Sequence, residues 1–190
     1  MLNDRTSMTE NIVACVKPLR PLIIPAHKGV IGNIVCVLEN RDTGRKRIFK
    51  SNNIVTDAGD LYYAQLGASE APTNAFGIME LGSAGTAPLK SSDRSAVTTK
   101  IASSQKAFDA TYPKTNDGDA DNTGAGVDVV SYLVSYASGE ANDAAIDRVI
   151  ITNVTPGATE PLLMYATLTA FAKTSSDTLK MFVNHTMLGV

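Results

Sequence analysis

Residues 127–138 read VDVVSYLVSYAS, and this stretch decides the fold class because large apolar side chains recur at every second position. Successive side chains of an extended strand point to opposite faces of a sheet. One face of this strand is apolar or aromatic throughout, which predicts that it covers a core. The apolar face consists of Val130, Tyr132, Val134 and Tyr136, and the other face consists of Val129, Ser131, Leu133 and Ser135.

The two stretches that end the chain show similar alternation. Residues 160–173 and 177–188 are separated by the polar segment TSSD, which predicts a final hairpin. We expect Val183→Asp to unfold the protein, because it places a charge on the apolar face, and Asn184→Asp on the opposite face to be mild. The predicted core face carries Leu179, Met181, Val183, His185 and Met187, and the opposite face carries Thr178, Lys180, Phe182, Asn184 and Thr186.

Upstream, residues 31–40 and 45–53 are rich in strand-forming side chains and flank the turn sequence RDTG, which predicts a first hairpin. A short helix follows, capped by Thr56 or Asp57 and ended by Gly67. Its predicted apolar stripe is formed by Leu61, Ala64, Gln65 and Leu66.

Together these patterns predict a mainly β protein of seven to nine strands with one short helix. Strands and helices do not alternate, so a parallel α/β sheet is excluded, and an antiparallel β-sandwich of jelly-roll-like type is expected. Residues 31–190 form the predicted single sandwich domain.

Residues 1–30 differ from this domain and are predicted to form an extended arm. Pro18, Pro21 and Pro25 exclude a helix or a central strand, yet apolar side chains lie between them. Such an arm packs either on its own domain or on a neighbouring subunit.

Composition narrows the class of partner. The formal net charge is −2 and the pI is about 5.7, which argues against nucleic acid as the main partner. No run of about 18 apolar residues occurs, so a membrane-spanning helix is not expected, and the polar N-terminus does not resemble a signal peptide. We therefore expect folding in a host cytoplasm.

Cys15 and Cys36 both lie among valines and are interpreted as buried free thiols.

Few residues could support catalysis. The two histidines are His27, in the proline-rich arm, and His185, which alternates with apolar residues and is interpreted as a packed histidine. The chain lacks a nucleophile elbow, a zinc-protease motif, a C-x-x-C pair and a phosphate-binding loop. The prediction is a non-enzymatic protein with no catalytic, cofactor-binding or metal site and no cofactor.

The acidic loop at 114–126, with Asp128 just after it, is a candidate cation site. Asp117, Asp119, Asp121 and Asp128 follow the spacing of a calcium loop, but Asn122 stands where that loop needs glycine. A solvated acidic loop is the main interpretation, and a structural cation is the alternative.

A second charged group surrounds the first turn. Its basic residues are interpreted as a solvated hairpin tip, or as an electrostatic contact with an acidic partner subunit. They are Arg41, Arg45, Lys46, Arg47 and Lys50.

Three segments resemble the structural proteins of tailed-bacteriophage virions, of the head-decoration and tail or neck type. Residues 51–66 (SNNIVTDAGDLYYAQL) resemble an Asn-x-Val-Thr-x-Ala-Gly helix start, and residues 78–97 are similar to a Leu-Gly-x-Gly-Thr-x-x-Pro segment, here one residue longer. The closing residues 175–190 resemble a terminal Asp-Thr-Leu strand. These segments cover less than a third of the chain.

The resemblance implies a capsid decoration (cement) protein that binds the outside of the major capsid lattice. It also implies the major capsid protein as partner and a homo-oligomer, with a trimer as the first expectation. The charge balance and the lack of a long apolar run predict no binding to nucleic acid or membrane. A tail or neck (head-tail connector) subunit is the alternative, and a carbohydrate-binding β-sandwich module is an alternative of another class.

Overall fold

The computed structural model describes residues 30–187, so residues 1–29 of the predicted arm, with Cys15 and His27, lie outside the described residues. Within that range the protein is mainly β with one α-helix, α1 (Asp57–Gly67), which confirms the predicted class. The ten strands are β1 Ile31–Asn40, β2 Lys46–Val55, β3 Phe76–Ala84, β4 Thr99–Lys100, β5 Lys106–Ala107, β6 Lys114–Thr115, β7 Val129–Tyr136, β8 Asp143–Asn153, β9 Leu162–Lys173 and β10 Asp177–Thr186.

All strand pairs are antiparallel, and they lie in the order β4-β3-β8-β9-β2-β1-β10-β7-β6, with β5 also paired to β3. β2 joins two layers, because most of it pairs with β1 while Ile54 and Val55 pair with β9. We call β2, β1, β10, β7 and β6 the front layer, and β9, β8, β3, β4 and β5 the back layer. The pairs β1–β10, β2–β9 and β3–β8 are nested, first strand with last, which gives the sandwich its jelly-roll-like character.

The hydrophobic core lies between the two layers. Ile34, Tyr132 and Met181 enter it from the front layer, and Leu81 and Ile151 enter it from the back layer. The predicted core faces of β7 and β10 are confirmed, because Val134 and Tyr136 on β7 and Leu179 and Val183 on β10 belong to this core. Cys36 is also buried there, and burial raises the pKa of its thiol.

The first predicted hairpin is confirmed, but the last one is wrong. β1 and β2 pair along their length, whereas β9 pairs with β8 and β2, and β10 pairs with β1 and β7. The segment between β9 and β10 therefore crosses from the back layer to the front layer, stabilised by the hydrogen bond from the Asp177 amide to the Thr174 carbonyl (3.0 Å). Alternation of side chains determines which face of a strand is buried, but it does not determine the neighbouring strand.

Helix α1 has the predicted cap but a different packing face. The Thr56 hydroxyl accepts a hydrogen bond from the Gly59 amide, as an N-cap does. The predicted stripe is wrong, because Leu61 and Leu66 are about half exposed, at 49% and 47%. The helix instead packs through Gly59 and its neighbours against β9 and the core; those neighbours are Ala58, Tyr62 and Tyr63. No helix within residues 30–187 is long and apolar enough to cross a membrane.

Candidate interaction surface

The loop at residues 108–128 covers the outer face of the front layer. The face it covers is apolar in part, and the Tyr112 ring packs over a second, smaller cluster there. The acidic loop at 114–126, which lies within this longer segment, is also packed in part: Asp117 and Asn122 are buried, so the prediction that the acidic loop is solvated is wrong for these two residues. The cluster consists of Val35, Val37, Leu133 and Phe182.

Asn184 of β10 is the centre of a buried hydrogen-bond network under this loop. Its amide oxygen accepts from Ser131 Oγ (2.7 Å) and from Asn122 Nδ2 (3.0 Å). Its amide nitrogen donates to Asn122 Oδ1 (2.9 Å) and to Asn33 Oδ1 (3.2 Å). Asn184 is completely buried, so the expectation that Asn184→Asp would be mild is overturned.

The sequence could not reveal this network, because its four members come from three strands and a loop. The β10–β7 register places Asn184 opposite Ser131, and the β1–β10 register places it opposite Asn33. The strands β1, β10 and β7 each carry a polar residue at the same level of the sheet. This pattern is the signal that could have indicated the network, but it can be read only when the strand register is known.

Asp117 is buried next to this network and is held as a carboxylate. It accepts hydrogen bonds from Tyr112 Oη (2.9 Å), Asn122 Nδ2 (2.9 Å) and the Asp119 amide (3.1 Å), and it lies 3.0 Å from Lys114 Nζ. Desolvation alone would raise the pKa of Asp117, but the hydrogen bonds, first those from Asn122 and Lys114, outweigh it and lower the pKa to about 2.

The other carboxylates of the acidic loop are paired with lysines of the sheet. Lys180 Nζ lies 2.9 Å from Asp119 and 3.1 Å from Asp121, and Lys46 Nζ lies 2.9 Å from Asp121. Asp128 is exposed, and its carbonyl accepts the Met187 amide. Among the described residues no three acidic, histidine or cysteine side chains are grouped as metal ligands would be. Three of the four aspartates with calcium-loop spacing, Asp117, Asp119 and Asp121, are therefore paired with lysines in this fold.

His185 is the second buried polar centre, and it faces the core. Its Nδ1 lies 2.6 Å from Tyr63 Oη, and its Nε2 lies 2.8 Å from Asn53 Nδ2. Tyr63 Oη in turn lies 2.7 Å from Tyr132 Oη. Desolvation lowers the pKa of His185 to about 3, so the ring is neutral near pH 7. This confirms the interpretation of His185 as a packed histidine.

A buried ion pair in the back layer was not predicted. Arg94 binds Glu80 with two hydrogen bonds of 2.8 and 2.9 Å, and Glu80 is 3% exposed. Arg94 also donates to the Gly157 carbonyl (2.8 Å). This arrangement ties a short 3-10 turn, Arg94–Ala96, to β3 and to the β8–β9 loop, and its partners are far apart in sequence.

The turn between β1 and β2 is the most basic part of the described surface. All five of its predicted cations are exposed, and only Lys46 among them forms an ion pair within residues 30–187. Beside the turn is a groove of about 450 Å³, which we call the tip groove. It is lined by Leu38, Asn40, Thr43, Arg45, Arg47 and Asp177.

No tyrosine or phenylalanine side chain within residues 30–187 is fully exposed. Every tyrosine and phenylalanine of the chain lies within residues 30–187, and each is buried or partly buried.

Comparison of this chain with family models, with curated proteins and with solved structures finds no match.

Proposed function

We propose that this chain is a non-enzymatic structural protein of a tailed-phage virion, and that it decorates the outside of the major capsid lattice. The resemblance of residues 51–66 and 78–97 to phage structural proteins supports the virion assignment. The strands at the two ends of the sheet order, β4 and β6, are only two residues long. Short edge strands limit pairing with the strands of other chains, so the subunit would bind its neighbours through specific surfaces instead.

The observation that carries the structural role is the enclosure of the groups that could do chemistry. His185 is completely buried and neutral, Asp117 accepts hydrogen bonds from several donors, and Glu80 accepts two hydrogen bonds from Arg94. Catalytic acids and bases must instead be within reach of a substrate. These side chains stabilise the fold, and the protein acts through its surfaces.

A tail or neck subunit is the alternative within the virion, and the same features support it. The carbohydrate-binding alternative has weaker support. Such modules stack sugar rings on exposed aromatic side chains, and each aromatic ring in the described part of this chain is at least partly buried.

Electron microscopy and co-sedimentation test the proposal. Negative-stain images of the purified protein are expected to show a small compact oligomer, and the protein is expected to sediment with empty capsids but not with isolated tails. Rings or tubes, together with binding to tails alone, would assign the protein to the tail or neck. Binding to neither structure would overturn the virion role.

A further inference from the structure

The turn between β1 and β2 concentrates positive charge on a chain whose net charge is negative. Five of the seventeen lysines and arginines fall within residues 41–50, although the formal net charge of the whole chain is −2. Folding brings Arg45 and Arg47 to the wall of the groove and leaves both of them exposed. The groove therefore offers two guanidinium groups to a ligand.

These guanidinium groups form few contacts within the described fold, and neither forms an ion pair closer than 4 Å there. Arg47 makes one long contact, 3.5 Å from Nη2 to the Ala172 carbonyl, and its guanidinium lies 5.8 Å from the centre of the Phe49 ring. Within residues 30–187 the Arg45 side chain forms no hydrogen bond or ion pair. Lys46, between them in sequence, contrasts with both because it is paired with Asp121 at 2.9 Å.

The one carboxylate in the groove wall is already satisfied. Asp177 accepts hydrogen bonds from the Thr174 amide (2.9 Å), from Thr174 Oγ1 (2.7 Å) and from Asn40 Nδ2 (3.1 Å). Desolvation alone would raise the pKa of Asp177, but these hydrogen bonds and the charge of Arg47 lower it, so Asp177 remains a carboxylate that offsets part of the positive charge of the groove. Two arginines, with a threonine and an asparagine beside them, form the accessible wall.

We infer that the tip groove binds the carboxylates of an extended acidic segment of a partner protein. A guanidinium group matches a carboxylate through two parallel hydrogen bonds, and paired arginines can therefore bind successive acidic side chains. Nucleic acid fits less well, because sequence-independent binding of single strands uses exposed aromatic rings. This inference rests on the proposed function only in taking the partner to be a virion protein.

Peptide binding by the purified full-length chain tests the inference. Fluorescence anisotropy with a labelled hexaglutamate peptide is expected to show weak binding that decreases as salt is raised, whereas hexaglutamine does not bind. The double variant Arg45→Gln/Arg47→Gln should weaken hexaglutamate binding at least tenfold. The matched control is Lys100→Glu, which changes the net charge equally at an exposed site in the back layer.

Several results would overturn the inference. These are no binding of hexaglutamate at millimolar concentration, equal binding by the double variant, and tighter binding of an oligothymidine of similar length. Capsid co-sedimentation separates this inference from the proposed function. If wild type binds capsids and the double variant binds them equally well, the groove assignment fails and the function stands. If wild type binds hexaglutamate in the groove but not capsids, the function fails and the groove stands.

Discussion

At the scale of single residues, two adjacent side chains of β10 show how this sandwich buries polar groups. Asn184 and His185 are both completely buried, yet they point to opposite faces of the front layer. Asn184 is covered by the acidic loop, and His185 is covered by helix α1 through Tyr63. A polar group buried without partners is costly, so each of these covers must supply hydrogen bonds as well as contact.

The first prediction concerns these two faces of β10. Val183→Asp puts a charge into the main core, and we expect insoluble or unfolded protein. Asn184→Asp replaces the amide group that donates to Asn33 and Asn122 with a carboxylate, and we expect a loss of about 2–4 kcal/mol in the free energy of unfolding. Urea unfolding and soluble yield measure both changes.

The control for these substitutions is Thr169→Asp, at an exposed position of β9. It introduces the same charge into a strand and should change stability by less than about 0.5 kcal/mol. If Asn184→Asp is as mild as this control, the acidic loop does not cover β10 as described.

The second prediction concerns the pH dependence that Asp117 contributes. Its pKa falls from 3.8 to about 2 on folding, so its ionisation stabilises the protein fully above about pH 4 and this contribution is lost as the pH falls toward 2. We expect Asp117→Asn to be less stable than wild type at pH 7. The difference between their urea midpoints should shrink between pH 4 and pH 2, and a constant difference over that range would contradict the role assigned to Asp117.

At the scale of elements, the third prediction concerns the packing of α1 on β9. A Cβ atom added at Gly59 would lie 2.2 Å from the Leu163 carbonyl oxygen, whereas one added at Gly67 would meet nothing within 4 Å. Gly59→Ala should therefore lower the free energy of unfolding by about 1 to 3 kcal/mol or more, since overpacking usually costs about that much. This loss is expected even though alanine favours a helix more than glycine does. Gly67→Ala should be neutral or stabilising. Thermal unfolding of the two variants checks this, and equal behaviour would mean that α1 can shift on β9.

The fourth prediction concerns the acidic loop and metal ions. Lys46 and Lys180 already balance the charge of Asp119 and Asp121, so folding should not require a cation. A chelator should change the melting temperature by no more than about 2 °C. This is less than the shift that a loss of about 1 kcal/mol in stability usually produces in a domain of this size. A larger decrease that calcium restores would make the aspartates of this loop metal ligands.

The elements also show which parts of the fold were predictable. The β1–β2 hairpin, the Thr56 cap and the buried faces of β7 and β10 depend on neighbouring residues, and sequence patterns predicted them. The crossing between β9 and β10, the Asn184 network and the Glu80–Arg94 pair depend on which strands become neighbours. Contacts between residues that are distant in sequence leave no local pattern, and this is why they were missed. The basic cluster at the tip was predicted, because its cations all lie within residues 41–50, but the groove was not, because Asp177 of β10 contributes to its lining.

At the scale of the whole molecule, the core described within residues 30–187 is enclosed by nested strand pairs. Its members run from Ile34 to Val183, and β1 and β10 lie next to each other in the front layer. This nesting brings the two ends of the described domain together in one layer.

The fifth prediction is that the arm serves assembly. Deleting residues 1–28 should leave a soluble β domain whose melting temperature changes by only a few degrees, because residues 34–183 already supply a core packed between two layers. The same deletion should abolish sedimentation with capsids. The prolines favour an extended arm, and an isolated monomer would gain little from apolar side chains on such an arm. These side chains are Leu19, Leu22, Ile23 and Ile24. A full-length variant with these four residues changed to serine keeps the length of the arm and should lose capsid binding equally.

Two outcomes would contradict this prediction. Unfolding of the truncated chain would show that the arm belongs to the core of its own domain. Unchanged capsid binding would show that assembly depends on other surfaces, of which the tip groove is the first to examine.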